Sequence, residues 1–230
     1  MYHRVLLKIS GEALSSEQSV ICRDTVLSTV AKIKAVRDKG VEIGIVVGGG
    51  NIMRGRSAEG MERNRADHMG MLATTINALA LQDALEQAGV PCVVQSAVDM
   101  ERFCDSFSAR SAKQALAQGK VVIFACGSGC PFFSTDTAAA LRAAEIGADA
   151  LLLAKNIDAI YSADPKLDPN AIRYSRISYD RVVAENLRAT DLTAITLCKE
   201  QKIPIRAFAL CEIEKIFEDD SIGTHIVEKE

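Results

Sequence analysis

The chain lacks the features of a disulfide-rich or zinc-binding protein. It has 230 residues, no tryptophan, five prolines, and seven cysteines without any C-x-x-C spacing. An odd number of cysteines without metal-ligand spacing argues against a disulfide framework and against a zinc site. We therefore expect most of the cysteines to be small buried side chains in a reducing cytoplasm.

Long apolar runs and clusters of basic residues are also missing. No apolar stretch approaches the ~18 residues that span a bilayer, and the first residues lead straight into a strand-like segment, so neither a membrane segment nor a signal peptide is expected. Lysines and arginines are scattered and the formal net charge is −3, which argues against nucleic-acid binding. The 48% of hydrophobic residues is ample for a folded core.

Apolar runs alternate with helix-period segments from one end of the chain to the other. We predict buried strands at residues 5–9, 42–47, 92–95, 121–126, 150–154 and 203–209. Helices are predicted where apolar residues share one face, at Val26, Val30, Ile33 and Val36, at Met69, Leu72, Ile76 and Leu79, and over residues 138–146 and 191–201. Asp136 is predicted to cap the third of these helices.

This alternation predicts an α/β fold with a mostly parallel sheet and helices on both faces. Such sheets bind ligands outside the carboxyl ends of their strands. Because no linker or repeat divides the chain, we predict a single domain over residues 1–230.

Three glycines, Gly48-Gly49-Gly50, follow a predicted buried strand, and Arg54 lies four residues further on. Glycines at a strand end let backbone N–H groups approach an anion closely, and an arginine adds a fork suited to phosphate oxygens. The same pattern also fits a strand-to-helix turn without a ligand.

Two further strand ends carry similar chemistry. The first strand contains Lys8 and runs into Ser10-Gly11, where an ammonium could neutralise a transferring phosphoryl group or simply extend to solvent. Residues 126–136 hold glycines and hydroxyls before a helix N-terminus, a second place for phosphate or sugar oxygens. Phe132 and Phe133 in that loop fit either a nucleotide base or the edge of the core.

The loops match neither a Walker A sequence nor a G-x-G-x-x-G fingerprint, and the protein-kinase motifs and a Ser/His/Asp arrangement are missing as well. One reaction class needs no base, because a phosphate acceptor is largely a dianion at neutral pH. Aligning two anions and placing positive charge between them is then sufficient, and Lys8, Arg54 and Mg²⁺ could do this.

The loops in this order resemble the amino-acid-kinase superfamily, and within it the bacterial uridylate (UMP) kinases. The matching segments are residues 8–14, 48–55, 67–74, 131–136 and 161–165. The segment Asp67-His68-Met69-Gly70-Met71-Leu72-Ala73-Thr74 is the most discriminating, because it is typical of the uridylate branch.

The resemblance implies a three-layer α/β/α sandwich that transfers the γ-phosphoryl group of ATP to UMP in pyrimidine nucleotide synthesis. It implies an acceptor half at residues 1–147 and an ATP half at residues 148–230. ATP is expected to contact Lys8, Ile9, Ser10, Gly11, Gly50, Arg54, Asn156, Tyr161 and Asp164. UMP is expected to contact Gly49, Asp67, Ser128, Gly129, Cys130, Pro131, Phe132, Phe133, Ser134 and Thr135. The expected catalytic residues are Lys8, Arg54 and Asp191, with Asp191 organising lysine or metal. Similar enzymes are cytoplasmic homohexamers that use Mg²⁺ and are inhibited by UTP.

The chain departs from that pattern at two loops. Residues 15–20 contain no glycine where the family commonly has a Gly/Phe/Gly loop linked to activation by GTP, so the resemblance does not carry GTP activation over to this chain. Cys130 replaces the usual asparagine and loses strong hydrogen bonds. A thiol near a helix N-terminus can be unusually reactive, and an inert packed cysteine is the alternative.

Two other functions fit the same superfamily. A carboxylate kinase such as acetylglutamate kinase would lack the segment at residues 67–74. A non-catalytic nucleotide-binding or storage protein would not need Lys8, Arg54, Asp164 and Asp191 together.

Overall fold

The computed structural model describes residues 2–53, 60–187 and 190–229. Its strands are β1 (Arg4–Ile9), β2 (Glu42–Val47), β3 (Cys92–Ser96), β4 (Asp105–Ser106), β5 (Val121–Ala125), β6 (Ala150–Lys155), β7 (Ile160–Tyr161), β8 (Arg173–Tyr174), β9 (Arg176–Ser178), β10 (Ile205–Ala209) and β11 (Thr224–Val227). Its α-helices are α1 (Arg23–Asp38), α2 (Arg63–Gln87), α3 (Ala109–Ala117), α4 (Thr135–Ile146), α5 (Tyr179–Ala184) and α6 (Leu192–Glu200).

Over these described residues, nine strands form one sheet in the order β4-β3-β5-β2-β1-β6-β10-β11-β9, and β7 pairs with β8 separately. Neighbouring strands of the large sheet are parallel except for the antiparallel pair β10 and β11. Alternate residues of β1 face opposite layers, since Val5 packs with α1 and α2 while Leu6 packs with α4. The three-layer α/β/α arrangement expected from the sequence is confirmed.

The central strands β5, β2, β1 and β6 are adjacent and parallel. Their carboxyl ends therefore lie side by side along one edge of the sheet. The loops that begin at Cys126, Gly48 and Ser10, together with Lys155, leave the sheet at this edge. Four chemically distinctive segments, far apart in sequence, are thus gathered at the position where parallel sheets bind ligands.

The predicted cap of α4 is wrong. The helix begins at Thr135, and its N-cap is Ser134, whose hydroxyl accepts hydrogen bonds from the backbone N–H groups of Asp136 and Thr137 at 3.1 and 3.2 Å. Asp136 lies in the first turn, where the helix dipole favours a carboxylate. Its side chain is therefore available for contacts outside the helix.

The apolar stripe predicted on α2 is present, but most of it does not face the core. Met69, Leu72 and Ile76 are 41%, 54% and 48% exposed. The buried face consists of small and polar side chains together with two leucines, namely Ala66, Ala73, Thr74, Thr75, Asn77, Ala78, Leu81, Ala84 and Leu85. Small residues allow α2 to approach the loops at the sheet edge closely. None of the helices in the described ranges has both the length and the apolar character needed to cross a membrane.

Candidate functional site

A buried carboxylate joins two lysines at the carboxyl end of the sheet. Lys8 of β1 and Lys155 of the adjacent β6 both point to the layer that contains α4. The ammonium of Lys8 lies 2.7 Å from Oδ1 of Asp136, and that of Lys155 lies 3.8 Å from Oδ2. All three side chains are at most 23% exposed. Lys8 is therefore not a surface lysine reaching solvent, and its charge is held within the site.

Burial and charge oppose each other in this cluster. Burial disfavours the ionised form of Asp136, but Lys8 and Lys155 outweigh it and hold the pKa of the carboxyl below its usual value. Burial lowers the pKa of Lys155, and the positive charge of Lys8 lowers it further, while Asp136 acts in the opposite direction. One carboxylate shared by two ammonium groups creates a positive site for anionic oxygens.

The segment before α6 reaches the same carboxylate. The hydroxyl of Thr190 donates a hydrogen bond to Oδ2 of Asp136 at 2.8 Å. Asp191 is the N-cap of α6, and its charge raises the pKa of Lys155. Asp191 thus acts electrostatically on a lysine of the cluster, although the carboxylate between the two lysines is that of Asp136.

A cavity of about 420 Å³ opens beside the first turn of α4, the helix that carries Asp136. We call it the acceptor cavity. It is lined by Glu12, Gly49, Gly50, Met53, Arg63, Asp67, Gly70, Met71, Thr74, Gly127, Ser128, Cys130, Phe133, Ser134 and Thr135. Seven of the ten residues predicted for UMP are among them; Gly129, Pro131 and Phe132 are not. Gly50, predicted for ATP, also lines this cavity.

The acceptor loop, which we define as residues 126–133, has an unusual backbone. Cys126, Gly127, Gly129 and Phe132 all have positive φ, at 60°, 58°, 82° and 72°. The backbone N–H of Phe132 donates to Oδ2 of Asp67 at 2.8 Å, and that same oxygen lies 2.7 Å from Nε of Arg63. Asp67 therefore ties the start of α2 to the acceptor loop as well as lining the cavity.

Phe132 and Phe133 are 59% and 53% exposed, so neither belongs to the core. The guanidinium carbon of Arg63 lies 5.7 Å from the centroid of the Phe132 ring. Only Phe133 of the two lines the acceptor cavity. An exposed aromatic ring at a cavity wall can stack on a base, which fits the interpretation of Phe133 as a ligand contact.

The loop that begins with Gly48-Gly49-Gly50, which we call the glycine loop, packs directly against α2 and against the loop after β1. A Cβ at Gly49 would lie 2.8 Å from the carbonyl oxygen of Gly70 and 2.9 Å from Cβ of Ala73, while one at Gly11 would lie 2.1 Å from Oδ1 of Asn51. Only glycine permits these approaches. Asn77, which is fully buried on α2, donates hydrogen bonds to the carbonyl of Gly48 and to Oδ1 of Asn51, both at 2.7 Å.

A second cavity, of about 490 Å³, lies beyond β6. We call it the nucleotide cavity. It is lined by Ile157, Ile160, Tyr161, Ser162, Ala163, Asp164, Pro165, Lys166, Leu167, Glu185, Asn186 and Leu187. Tyr161 and Asp164, predicted for ATP, are brought together here, whereas Asn156 is not part of the lining. Asp164 accepts a hydrogen bond from the backbone N–H of Lys166 at 2.9 Å, which shapes the turn.

Arg54 lies outside the described residues, so its place relative to the site stays a prediction. The sequence interpretation missed Asp136 as a functional group, and it missed Lys155 and Asn77. A signal for Lys155 was present, because it ends the apolar strand β6, and Lys8 lies one residue before the end of the parallel neighbour β1. The long-range contacts of Asn77 have no comparable signal in the sequence.

The carboxylates available fit a cation held mainly by a substrate. Among the described residues there is no group of three or more His, Cys, Asp or Glu side chains that could hold a metal ion. Mg²⁺ is commonly bound by one or two carboxylates together with substrate phosphates and water. Asp136 and Asp191, which both act on Lys155, are two carboxylates at this position.

Three solved structures share this architecture. The UMP kinase of Bacillus anthracis is 33% identical, with a TM-score of 0.96 over 100% of this chain and 97% of that one. The UMP kinase of Ureaplasma parvum is 36% identical, with a TM-score of 0.93 over 99% and 100%. The uridylate kinase of Archaeoglobus fulgidus is 28% identical, with a TM-score of 0.74 over 97% and 99%.

The model of the amino acid kinase family matches residues 3–208, which is most of the chain and includes both lysines, the glycine loop and the acceptor loop. With that match and the buried cluster at the sheet edge, the chain belongs to the amino acid kinase family.

Proposed function

We propose that this chain is a UMP kinase that transfers the γ-phosphoryl group of ATP to UMP, forming UDP and ADP. The observation that carries this proposal is the cluster of Lys8, Asp136 and Lys155 at the carboxyl ends of β1 and β6, next to the acceptor cavity. The three solved structures described above are UMP or uridylate kinases, which supports the same acceptor. Neither a carboxylate kinase nor a storage protein is favoured.

The proposed mechanism of phosphoryl transfer follows from the charges of the two substrates and of the lysine cluster. The phosphate of UMP is largely a dianion at neutral pH and needs no base to become a nucleophile. The barrier arises mainly from bringing two anions together and from charge that spreads over the transferring group. The ammonium groups of Lys8 and Lys155 stabilise that charge, and Asp136 fixes their positions. Asp191 adjusts the charge on Lys155, and Arg54 is proposed to contact the ATP phosphates.

Each of the two substrates is proposed to bind in one of the two cavities. In the acceptor half, residues 1–147, the acceptor cavity takes UMP with Asp67 close to the ribose hydroxyls. In the ATP half, residues 148–230, the nucleotide cavity takes the adenosine. Backbone groups of Ser10 and Gly11 face the phosphates. We propose that both halves belong to one domain, and the pairing of β1, which carries Lys8, with strands of each half supports this.

Mg²⁺ is proposed to accompany ATP, with Asp136 and Asp191 as the carboxylates nearest the phosphates. When bound, it would neutralise phosphate charge and hold the phosphoryl group in position. The chain's own contribution is to orient the two lysines and to keep Asp136 ionised in a buried position.

The cellular setting is proposed to be pyrimidine nucleotide synthesis in the cytoplasm, with UTP as an inhibitor. All seven cysteines are free. Activation by GTP is not proposed. Residues 15–20 form a tight turn in which the N–H of Ser16 donates to the carbonyl of Ser19 at 2.9 Å.

The chain is also proposed to form a homo-oligomer, a hexamer as the family resemblance implies. Met69, Leu72 and Ile76 form an exposed apolar stripe along α2. Contiguous apolar side chains on a helix surface commonly mark a protein interface. A second copy of the chain is the partner that satisfies this surface in a homo-oligomer.

The assignment is tested by measuring ADP release from Mg-ATP with UMP, CMP, dUMP or acetylglutamate as acceptor, with and without GTP and UTP. We expect turnover with UMP in clear preference to the others, inhibition by UTP, and no stimulation by GTP. Turnover with acetylglutamate alone, or ATP binding without turnover on any acceptor, would overturn the proposal.

Removing one lysine or the carboxylate between them should slow the chemical step. We expect Lys155→Met and Asp136→Asn to lower kcat by roughly 100-fold, a typical loss for a group that stabilises transition-state charge, with smaller changes in KM. Lys120→Met, at an exposed lysine before β5, is the matched control and should leave kcat unchanged. A change confined to KM would contradict the role given to these groups.

The exposed thiols provide a test of the acceptor cavity. Cys130 and Cys211 are exposed, whereas burial raises the pKa of Cys92 to about 11 and that of Cys198 to about 12. A neutral maleimide should therefore modify Cys130 and Cys211 before Cys92 and Cys198, as mapped by mass spectrometry. Saturating UMP should slow labelling of Cys130 but not of Cys211. Equal rates with and without UMP would remove Cys130 from the acceptor site.

A charge in the exposed stripe of α2 should disrupt assembly. We expect Leu72→Glu to sediment as a smaller species than the wild type at equal concentration, because an unpaired carboxylate is costly to bury at an interface. Ile172→Glu, at a residue that is 62% exposed outside the stripe, is the control and should leave assembly intact. If both variants assemble as the wild type does, α2 is not the interface.

A further inference from the structure

We propose that Thr74, a residue of α2, is a positioning residue that sets the conformation of the acceptor loop and thereby the affinity for UMP. This inference rests on the proposed function of the acceptor cavity. It concerns a hydroxyl group that the chemistry of phosphoryl transfer does not itself require.

The hydroxyl of Thr74 is fully committed to backbone groups. It donates a hydrogen bond to the carbonyl of Met71 at 2.7 Å and accepts one from the backbone N–H of Cys126 at 2.9 Å. Thr74 is 3% exposed and Cys126 is 1% exposed, so this hydrogen bond is buried at the wall of the acceptor cavity. Without the hydroxyl, a buried N–H group would be left unsatisfied, which is strongly unfavourable.

The hydrogen bond to Thr74 is made by Cys126, a residue whose backbone is strained. Cys126 is the first residue after β5, and it adopts φ of 60°, a region that non-glycine residues rarely occupy. Such conformations persist only when the surroundings fix them. Its carbonyl then accepts a hydrogen bond from the N–H of Gly129 at 2.9 Å, which closes the turn that presents Ser128 to the cavity.

The same turn of α2 contacts the glycine loop. A Cβ at Gly49 would lie 3.1 Å from the backbone nitrogen of Thr74, in addition to its close approach to Gly70 and Ala73. Thr74 therefore lies next to both the acceptor loop and the glycine loop. Thr74 fixes the spacing between these two walls of the acceptor cavity.

Removing only the hydroxyl tests this inference. Thr74→Val keeps the shape of the side chain but cannot accept the N–H of Cys126. We expect the dissociation constant of UMP, measured by calorimetry without ATP, and the KM for UMP to rise roughly tenfold, the loss typical of an unsatisfied buried group. The KM for ATP should rise less than the KM for UMP, because the nucleotide cavity is formed by other residues.

Two variants separate positioning from packing. Thr74→Ser retains the hydroxyl and should restore the wild-type affinity for UMP. Thr75→Val removes a neighbouring buried hydroxyl whose contacts are the Sγ atom of Cys126 at 3.3 Å and the carbonyl of Met71 at 3.4 Å, and it should have little effect.

Unchanged UMP affinity in Thr74→Val, or an equal rise for UMP and ATP, would overturn the inference. So would an effect of Thr75→Val as large as that of Thr74→Val. A wild-type chain that does not phosphorylate UMP would instead overturn the proposed function, which keeps the two failures distinguishable.

Discussion

The site depends on a carboxylate that is buried between two lysines. Ionised groups are removed from water only at a large cost, and that cost is offset here because Asp136 contacts both ammonium groups and a hydroxyl. The arrangement constrains its surroundings. It requires β1 and β6 to be adjacent, α4 to begin at the acceptor loop, and the segment before α6 to reach across to the same carboxylate.

Helix α2 holds two loops in place at the same edge of the sheet. Its buried face uses small and polar residues instead of large apolar ones, so that backbone and side-chain atoms can contact two loops directly. Asn77 holds the carbonyl of Gly48, and Asp67 holds the N–H of Phe132. Because both contacts come from one rigid element, the two loops are held in a fixed relation before any ligand binds.

The parts of this structure that depend on local pattern could be predicted from the sequence. Apolar runs gave the main strands, and glycines after strands indicated the loops at the sheet edge. Asp136 was misassigned because Ser134 and Asp136 are both good helix caps, and only the position of Lys8 reveals what the carboxylate contacts. The stripe at Met69, Leu72 and Ile76 was assigned to a helix face correctly, but an apolar face looks the same in sequence whether it covers a core or lies exposed on the surface. Lys155 carried a signal as the last residue of an apolar strand, but its pairing with Asp136 of α4 is visible only in three dimensions.

The separation between the lysine cluster and the acceptor loop has a consequence for how such a protein can diversify. The groups proposed to handle the phosphoryl charge come from two central strands and the first turn of α4, whereas most of the lining of the acceptor cavity comes from residues 126–133, the glycines after β2 and the amino-terminal half of α2. Insertions or substitutions in the loop can alter which molecule is held without moving either lysine. A fold organised in this way can exchange its acceptor in small evolutionary steps while the machinery of transfer is inherited intact.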